Sequence, residues 1–385
     1  LHENYGSEYA CRVSKRVATR KRVNVNLSTP LELIGRSAEF QQIVEILARD
    51  GDLLIAGVPG SGRRTLVRGA AQEVGAIILE VDCIRATDGQ RFLQLLAEAI
   101  SQNFEPVPIR QWLATTGGEL FAFHPEGNGG KLKPLRSLNQ KQLWQAFEML
   151  IALPQKLVEN TGKQVVLILQ SFPHIRSWDR NGLWETTLRR EINQHDRVSY
   201  ILIATIAEIS NHPEESDYPL EVVQLPPLAK DVMAIWAREM LHASGLTFDA
   251  RSSALQLFLD AVQGHIGDAV SLIRRLQTFR RPDGLITEHE VKLAIEGLLK
   301  DLSIVFESLL MLLPANQVHL LECLATDPTE KPQSKEYIQK HGLSRGGSLQ
   351  GALLGLQHKG LIYGQEKGYR FALPLLALWL CERLI

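Results

Sequence analysis

The stretch GVPGSGRRTL, residues 57–66, holds the side chains and spacings best suited to chemistry. Gly57 and Gly62 flank four residues that include Gly60 and Ser61, the spacing of loops whose backbone N–H groups wrap a phosphate. The two positions that complete such a loop are altered. Arg63 stands where a lysine would meet the phosphates, and Arg64 where a hydroxyl would hold magnesium. Thr65 follows one position late, on a different face of the helix, and is not expected to replace that hydroxyl. The candidate phosphate-holding set is Gly57, Gly60, Ser61, Gly62, Arg63, Arg64 and Thr65.

A loop of this kind needs a strand before it and a helix after it, because a helix N-terminus offers free N–H groups and partial positive charge. DLLIAG (52–57) reads as a short buried strand and RRTLVRGAAQEVG (63–75) as the helix. Further strands are expected in AIILEVD (76–82), KQVVLILQSF (163–172), VSYILIATIAE (198–208) and EVVQL (221–225). Helical spacing after Gly35, at 91–101, at 141–158 and at 183–195 separates them. Strands alternating with helices predict an α/β fold with a parallel sheet covered on both faces. Residues 105–137, rich in Pro and Gly, read as an irregular insertion.

After LPPL at 225–228 the strand pattern stops. Residues 229–300 read as consecutive helices, a lid across the mouth of the sheet. From 301 three helices and two short strands around a Gly turn make a winged helix. The domain division is thus a basic N-terminal arm at 1–29, a P-loop sheet domain at 30–228, a helical lid at 229–300 and a winged helix at 301–385. No internal repeat is visible.

With 385 residues, 45% of them hydrophobic, the chain can bury substantial cores, and a formal net charge of -1 gives no whole-molecule case for nucleic acid binding. Local patches must carry that case. Residues 12–22, RVSKRVATRKR, hold six basic and no acidic side chains, either a solvated arm or one lying on nucleic acid phosphates. Cys11, Cys83, Cys323 and Cys381 are scattered without metal-ligand spacing and are expected to be structural. No apolar run approaches the roughly 20 residues of a membrane span, nor do the first residues resemble a signal peptide, so no membrane contact and a cytoplasmic location are expected. The sequence begins at Leu1 rather than Met, and the natural chain is expected to start upstream.

In order, GRSAEF, GVPGSG, VVLILQ, YILIAT, LPPLAKD, QGHIGDAVSLIRRL and the closing FALPLLALWL resemble the AAA+ and STAND P-loop ATPases. The likeness is greatest to archaeal-type ATPases and their relatives among origin-recognition initiators and transposon target-selection ATPases. It spans about residues 30–385 and rests on the order of the motifs rather than on any one of them. The resemblance implies ATP or ADP between sheet domain and lid, and assembly into larger complexes. It also implies a metal-binding Asp followed by a water-activating Glu after the third strand. Gln170 and Ser171 stand there instead, so both Walker motifs are degenerate.

The same resemblance gives Thr205 the place of a polar sensor near the γ-phosphate and His265 that of a lid histidine approaching the nucleotide. Arg274 or its neighbour Arg275 falls where a lid arginine touches phosphate, and Arg189 and Arg190 where a neighbouring subunit's arginine can reach. Each has a plainer alternative: a strand-end hydrogen bond for Thr205, a helix cap or core position for His265, surface salt bridges for the arginine pair. Asp82, Asp179 and Glu185 are the remaining carboxylates near strand ends. One carboxylate without its hydroxyl partner makes a poor magnesium site.

Arg64 for a hydroxyl and Gln170 for an aspartate add two positive units, the formal charge magnesium would bring. One reading is that Arg63 and Arg64 hold nucleotide phosphates without Mg2+; the other is a decayed pocket whose arginines are solvated or paired with carboxylates. Losing one catalytic group commonly removes about 100-fold in rate, so efficient turnover is not expected. In the winged helix, Ser344, Arg345, Ser348, Gln350, Gln357, His358 and Lys359 would face a DNA groove and Lys367 and Arg370 the wing; Arg345, Ser348, Lys359, Lys367 and Arg370 are the DNA-binding candidates. Gly351, Ala352 and Gly355 form a small face that equally suits packing against a protein or the lid.

The expected function is a nucleotide-binding AAA+/STAND-like pseudo-ATPase acting as an assembly, adaptor or regulatory platform. A protein partner or self-assembly is expected, with DNA reached through the winged helix and the basic arm. Two alternatives remain open: an active ATPase with an atypical P-loop in a DNA-associated or defence process, and a DNA-binding transcription regulator.

Overall fold

The computed structural model describes residues 35–126, 129–136, 138–159, 161–192, 194–206, 220–279, 283–344, 346–364 and 368–384. The basic arm, Cys11, Arg345 and Lys367 lie outside the described residues.

Five strands form a parallel sheet: β1 (Leu53–Gly57), β2 (Ile77–Asp82), β5 (Val165–Gln170), β6 (Val198–Ala204) and β7 (Glu221–Leu225), in the order β2-β5-β6-β1-β7. β1, between β6 and β7, is buried at every position, and so is β6. That is why their sequences read as continuous apolar runs rather than alternations. Register places Leu53 beside Ile201 and Ile77 beside Val165, so all strands end at one edge, where the loops that follow them converge.

Two helices, α1 (Ser37–Ala48) and α2 (Arg63–Glu73), cover one face, with Ile43, Leu47, Leu66 and Val67 packed on Ile55, Ile168 and Ile201. On the other face α3 (Gly89–Asn103), α5 (Gln140–Val158) and α6 (Leu183–Ile192) bring Phe92, Phe147 and Leu188 onto Leu54, Leu167 and Leu202. Adjacent residues such as Leu167 and Ile168 therefore serve opposite cores, and full burial of each stabilises by about 1.5–3 kcal/mol.

Residues 105–137, expected to be irregular, contain ordered elements. Here are a short helix, α4 (Pro106–Trp112), a π-helical turn at Leu113–Gly117, and an antiparallel hairpin of β3 (Phe121–Glu126) and β4 (Gly129–Pro134). The hairpin holds because Phe121 and Leu132 are buried and Leu132 N–H bonds the Ser101 hydroxyl at 2.9 Å. Its glycines and prolines sit within the paired strands, which is why composition alone suggested a loop.

After β7 come α7 (Lys230–His242), a two-residue strand β8 (Thr247–Phe248), α8 (Ala254–Val262), α9 (Ile266–Leu276), β9 (Leu285–Ile286) and the long α10 (Glu288–Met311). β8 and β9 pair in parallel, a detail the sequence did not suggest. Three helices, α11 (Ala315–Thr326), α12 (Lys335–His341) and α13 (Gly347–His358), then precede the antiparallel pair β10 (Ile362–Tyr363) and β11 (Arg370–Phe371), and α14 (Pro374–Leu384) closes the chain. Three helices and a two-stranded wing are the expected winged helix. Among the described residues no helix is long and apolar enough to cross a membrane.

Candidate nucleotide site

The loop between β1 and α2 takes the shape its glycines permit. Gly60 and Gly62 both have positive φ, 78° and 85°, the left-handed region that side chains disfavour. Gly62 is the N-cap of α2, so the first amides of that helix have no partner within it and are free for an anion. Ser61 is 3% exposed, and its hydroxyl has no hydrogen-bond partner among the described residues. A buried hydroxyl left unpaired costs about 1–3 kcal/mol, and an anion or water in the loop would satisfy it.

The two arginines part company. Arg63 turns inward: its Nη1 donates to the carbonyl of Ala204 at the end of β6, and burial lowers its pKa to about 10, which leaves it charged at neutral pH. Arg64 turns outward, its side chain 56% exposed, and meets Glu80 of β2 at 2.6 Å. Arg68, one helical turn on, meets the same carboxylate at 3.1 Å. The Gln170 amide also donates to Glu80, at 3.1 Å. Thr65 is exposed on α2, away from the loop's interior.

This donor set does not suit magnesium. The position expected to carry a metal-binding acid holds an amide bonded to Glu80, and that carboxylate is already held by two guanidinium groups. The other carboxylates are engaged locally. Asp82 accepts from Ile84 N–H, Asp179 accepts from the N–H groups of Leu183, Trp184 and Glu185 at the start of α6, and Glu185 pairs with Arg176 and Arg189. No group of three or more His, Cys, Asp or Glu with metal-holding geometry occurs among the described residues.

The lid helices reach the loop directly. His265 is 4% exposed and caps α9: its Nδ1 accepts from Asp268 N–H at 3.0 Å, and its Nε2 donates to the carbonyl of Pro59. Gly267 N–H donates to the Gly60 carbonyl at 3.1 Å. His265 thus fills both a capping role and a place against the loop. Arg274 lies seven residues beyond Gly267 on the same face of α9, about 10 Å farther along the axis, and is exposed. Arg275 points elsewhere, to Asp301 at 2.5 Å. Arg189 and Arg190 pair with Glu185 and Glu191 respectively.

The winged helix closes the remaining side. Thr205, just past β6, has a buried hydroxyl with no partner among the described residues, and its methyl group lies under Gly360. Gly57, Val58, Pro59 and Thr205 line a crevice with Gln357, Gly360, Ile362 and Ala372 of the winged helix, and its volume of about 10 Å³ has room for one water. Gln357 therefore looks at the phosphate loop rather than at a DNA groove. Gly355 lies against Gln317 of the winged helix itself, while Gly351 has open space around it, so among the described residues neither glycine meets the helices of 229–300. Ser348 is exposed at the start of α13, Arg370 is exposed on β11, and Lys359 bonds Gln317 at 3.0 Å.

Sequence reasoning missed Glu80, Arg68, Asp268 and Arg36. Arg36 is 5% exposed, paired with Glu39 at 2.8 Å and donating to the Pro226 carbonyl, which ties the start of α1 to the segment just after β7. A buried arginine in GRSAEF was the available signal.

Comparison with known proteins agrees with this architecture. Residues 304–382 match a family described as "Probable winged helix domain". The Walker-type ATPase PABY2304 of Pyrococcus abyssi superposes with a TM-score of 0.63 at 16% identity, over 90% of this chain and 96% of that one. The Orc1 protein of Aeropyrum pernix, solved in complex with DNA, gives 0.46 at 16% identity, over 91% and 94%. Cdc6p from Pyrobaculum aerophilum gives 0.44 at 14% identity, over 92% and 96%. No curated protein matches the chain. The fold is shared with the Walker-type ATPase of Pyrococcus abyssi, and the C-terminal residues match a winged helix domain.

Proposed function

We propose that this chain binds ATP or ADP at the loop of residues 57–65 without requiring magnesium, does not turn it over efficiently, and uses the bound nucleotide to set the position of its lid and winged helix. One observation carries the reading: loop, lid and winged helix all meet at Pro59 and Thr205, so whatever occupies the loop acts on all three. Support for nucleotide comes from the left-handed glycines, the orphaned Ser61 hydroxyl and the half-buried positive charge of Arg63. Support for absent turnover comes from Gln170 and Ser171 at the positions of the metal-binding acid and the base, and from the engagement of Glu80 by arginines. Such a protein serves as a STAND-like adaptor or assembly platform in the cytoplasm, with a second copy or another protein as partner.

The test has two parts. Acid extraction of purified protein should release adenine nucleotide, or titration should show ATP and ADP binding equally well in EDTA and in magnesium. Phosphate release should stay at background. Magnesium-dependent turnover that disappears in Arg63→Met would instead establish a working ATPase.

DNA contact through the winged helix is a second component of the proposal, favoured by the exposed Ser348 and Arg370 on its outer side. Binding of duplex with a steep salt dependence supports it, and a defined operator would make the chain a sequence-reading regulator.

A further inference from the structure

We propose that Glu80 sets the affinity of the phosphate site: it is a tethered carboxylate that holds Arg64 and Arg68 and competes with an incoming polyphosphate for them. The inference rests on the nucleotide reading above and concerns what that site selects.

Glu80 is fixed by its strand and its side chain is 17% exposed, whereas Arg64 and Arg68 are 56% and 45% exposed on α2. The arginines are four residues apart, so they stand one above the other on one side of the helix. Both are long and hydrated enough to swing toward an anion at the N-terminus of α2; the carboxylate cannot follow. Two guanidinium groups against one carboxylate leave a surplus positive charge beside the loop, so the cluster still attracts an anion. Arginine bonds carboxylate and phosphate with the same planar fork, and the exchange of one for the other is nearly even. Glu80 therefore weakens phosphate binding by about the strength of one such contact. The gain from a second and third phosphate must outweigh it, which favours di- and triphosphates over monophosphates.

The experiment is calorimetric titration of ATP, ADP and AMP in EDTA against wild type, Glu80→Gln, Glu80→Asp and Arg64→Met. Glu80→Gln should bind ATP about tenfold more tightly, lose that gain steeply as salt is added, and narrow the preference for ATP over AMP. Glu80→Asp should stay near wild type and Arg64→Met should bind more weakly. If Glu80→Gln binds no better than wild type while Arg64→Met is impaired, Glu80 is only a strut and the inference is overturned. If no form binds nucleotide, the proposed function itself fails, a distinguishable outcome. Should Glu80→Gln not fold, Arg68→Met carries the test. With one guanidinium fewer to share, Glu80 holds Arg64 more firmly and ATP affinity drops severalfold; unchanged affinity refutes the competition.

Discussion

His265 of α9 donates its Nε2 hydrogen to the carbonyl of Pro59, joining the lid to the phosphate loop across more than 200 residues of sequence. In the neutral ring Nδ1 accepts from Asp268 N–H; when the ring is charged, Nδ1 faces one Asp268 carboxylate oxygen at 3.1 Å, and the other oxygen accepts from Leu375 N–H at 3.2 Å, at the start of α14. Burial pulls the imidazole's pKa down, but Asp268 and the Pro59 carbonyl more than offset it, and the net direction is up from 6.5. A histidine whose folded pKa is raised adds stability in full below its unfolded pKa and loses it as pH climbs through the folded value. The stability advantage of wild type over His265→Ala is therefore expected to be greatest below pH 6.5 and to shrink above it. Thermal melts from acid to alkaline pH check this, and a difference that grows with pH would contradict it.

Arg63 is the half-buried cation beside the loop. Replacing it with methionine keeps most of the packing but removes the bond to the Ala204 carbonyl and an inward-facing charge. ADP affinity in EDTA is expected to fall at least about tenfold, the scale of one charge-assisted contact. Arg63→Lys should recover part of it, because an ammonium supplies charge without the fork. Direct titration of both variants decides the matter, and equal binding by wild type and Arg63→Met would remove Arg63 from the site.

The sheet was legible because β1, β5 and β6 are buried on both faces and so read as apolar runs, while the glycine loop announced itself by spacing. The glycines and His265 were legible for the same reason: a local motif fixed where they sit. Their partners were not. Glu80 lies 16 residues from Arg64 and 90 from Gln170, and nothing in AIILEVD marks its carboxylate as the one both would meet. Gln357 and Gly360 sit in a helix and turn that read as a DNA-facing segment, and only tertiary docking turns them to the loop. In the hairpin of β3 and β4, alternation was present in Phe121 and Phe123, but Pro125, Gly129 and Gly130 masked it.

At the opposite end of β1, Asp52 accepts from Tyr200 N–H at 2.7 Å, and burial, partly offset by that hydrogen bond and reinforced by Asp50, raises its pKa to about 7. An acid with a raised folded pKa keeps its proton while the unfolded chain loses it, so stability declines as pH rises from about 4 to about 7 and is level beyond. Asp52→Asn preserves the acceptor and removes the charge. It is expected to match wild type near pH 4 and exceed it at pH 8 by up to about 4 kcal/mol. Urea unfolding at the two pH values measures the difference, and a variant less stable at pH 8 would show that the ionised carboxylate is needed.

The two ends of α13 face different things. Its C-terminal end and the following turn meet the phosphate loop through Gln357 and Gly360, whereas Ser348, near its start, is exposed, and the helix puts about 14 Å between Ser348 and Gln357. DNA can therefore approach the start of α13 and the wing while the far end stays docked. Phosphate contacts carry affinity without sequence preference, and each one lost lowers the salt slope by about one. Arg370→Ala should weaken random-duplex binding and lower that slope by about one, whereas Ser348→Ala should leave the slope unchanged. Fluorescence anisotropy of a labelled duplex across a salt series reads both quantities. An unaltered slope in Arg370→Ala would move the contact off this face, and a tightening of DNA binding when nucleotide is added would place docking of α13 and DNA contact in competition rather than side by side.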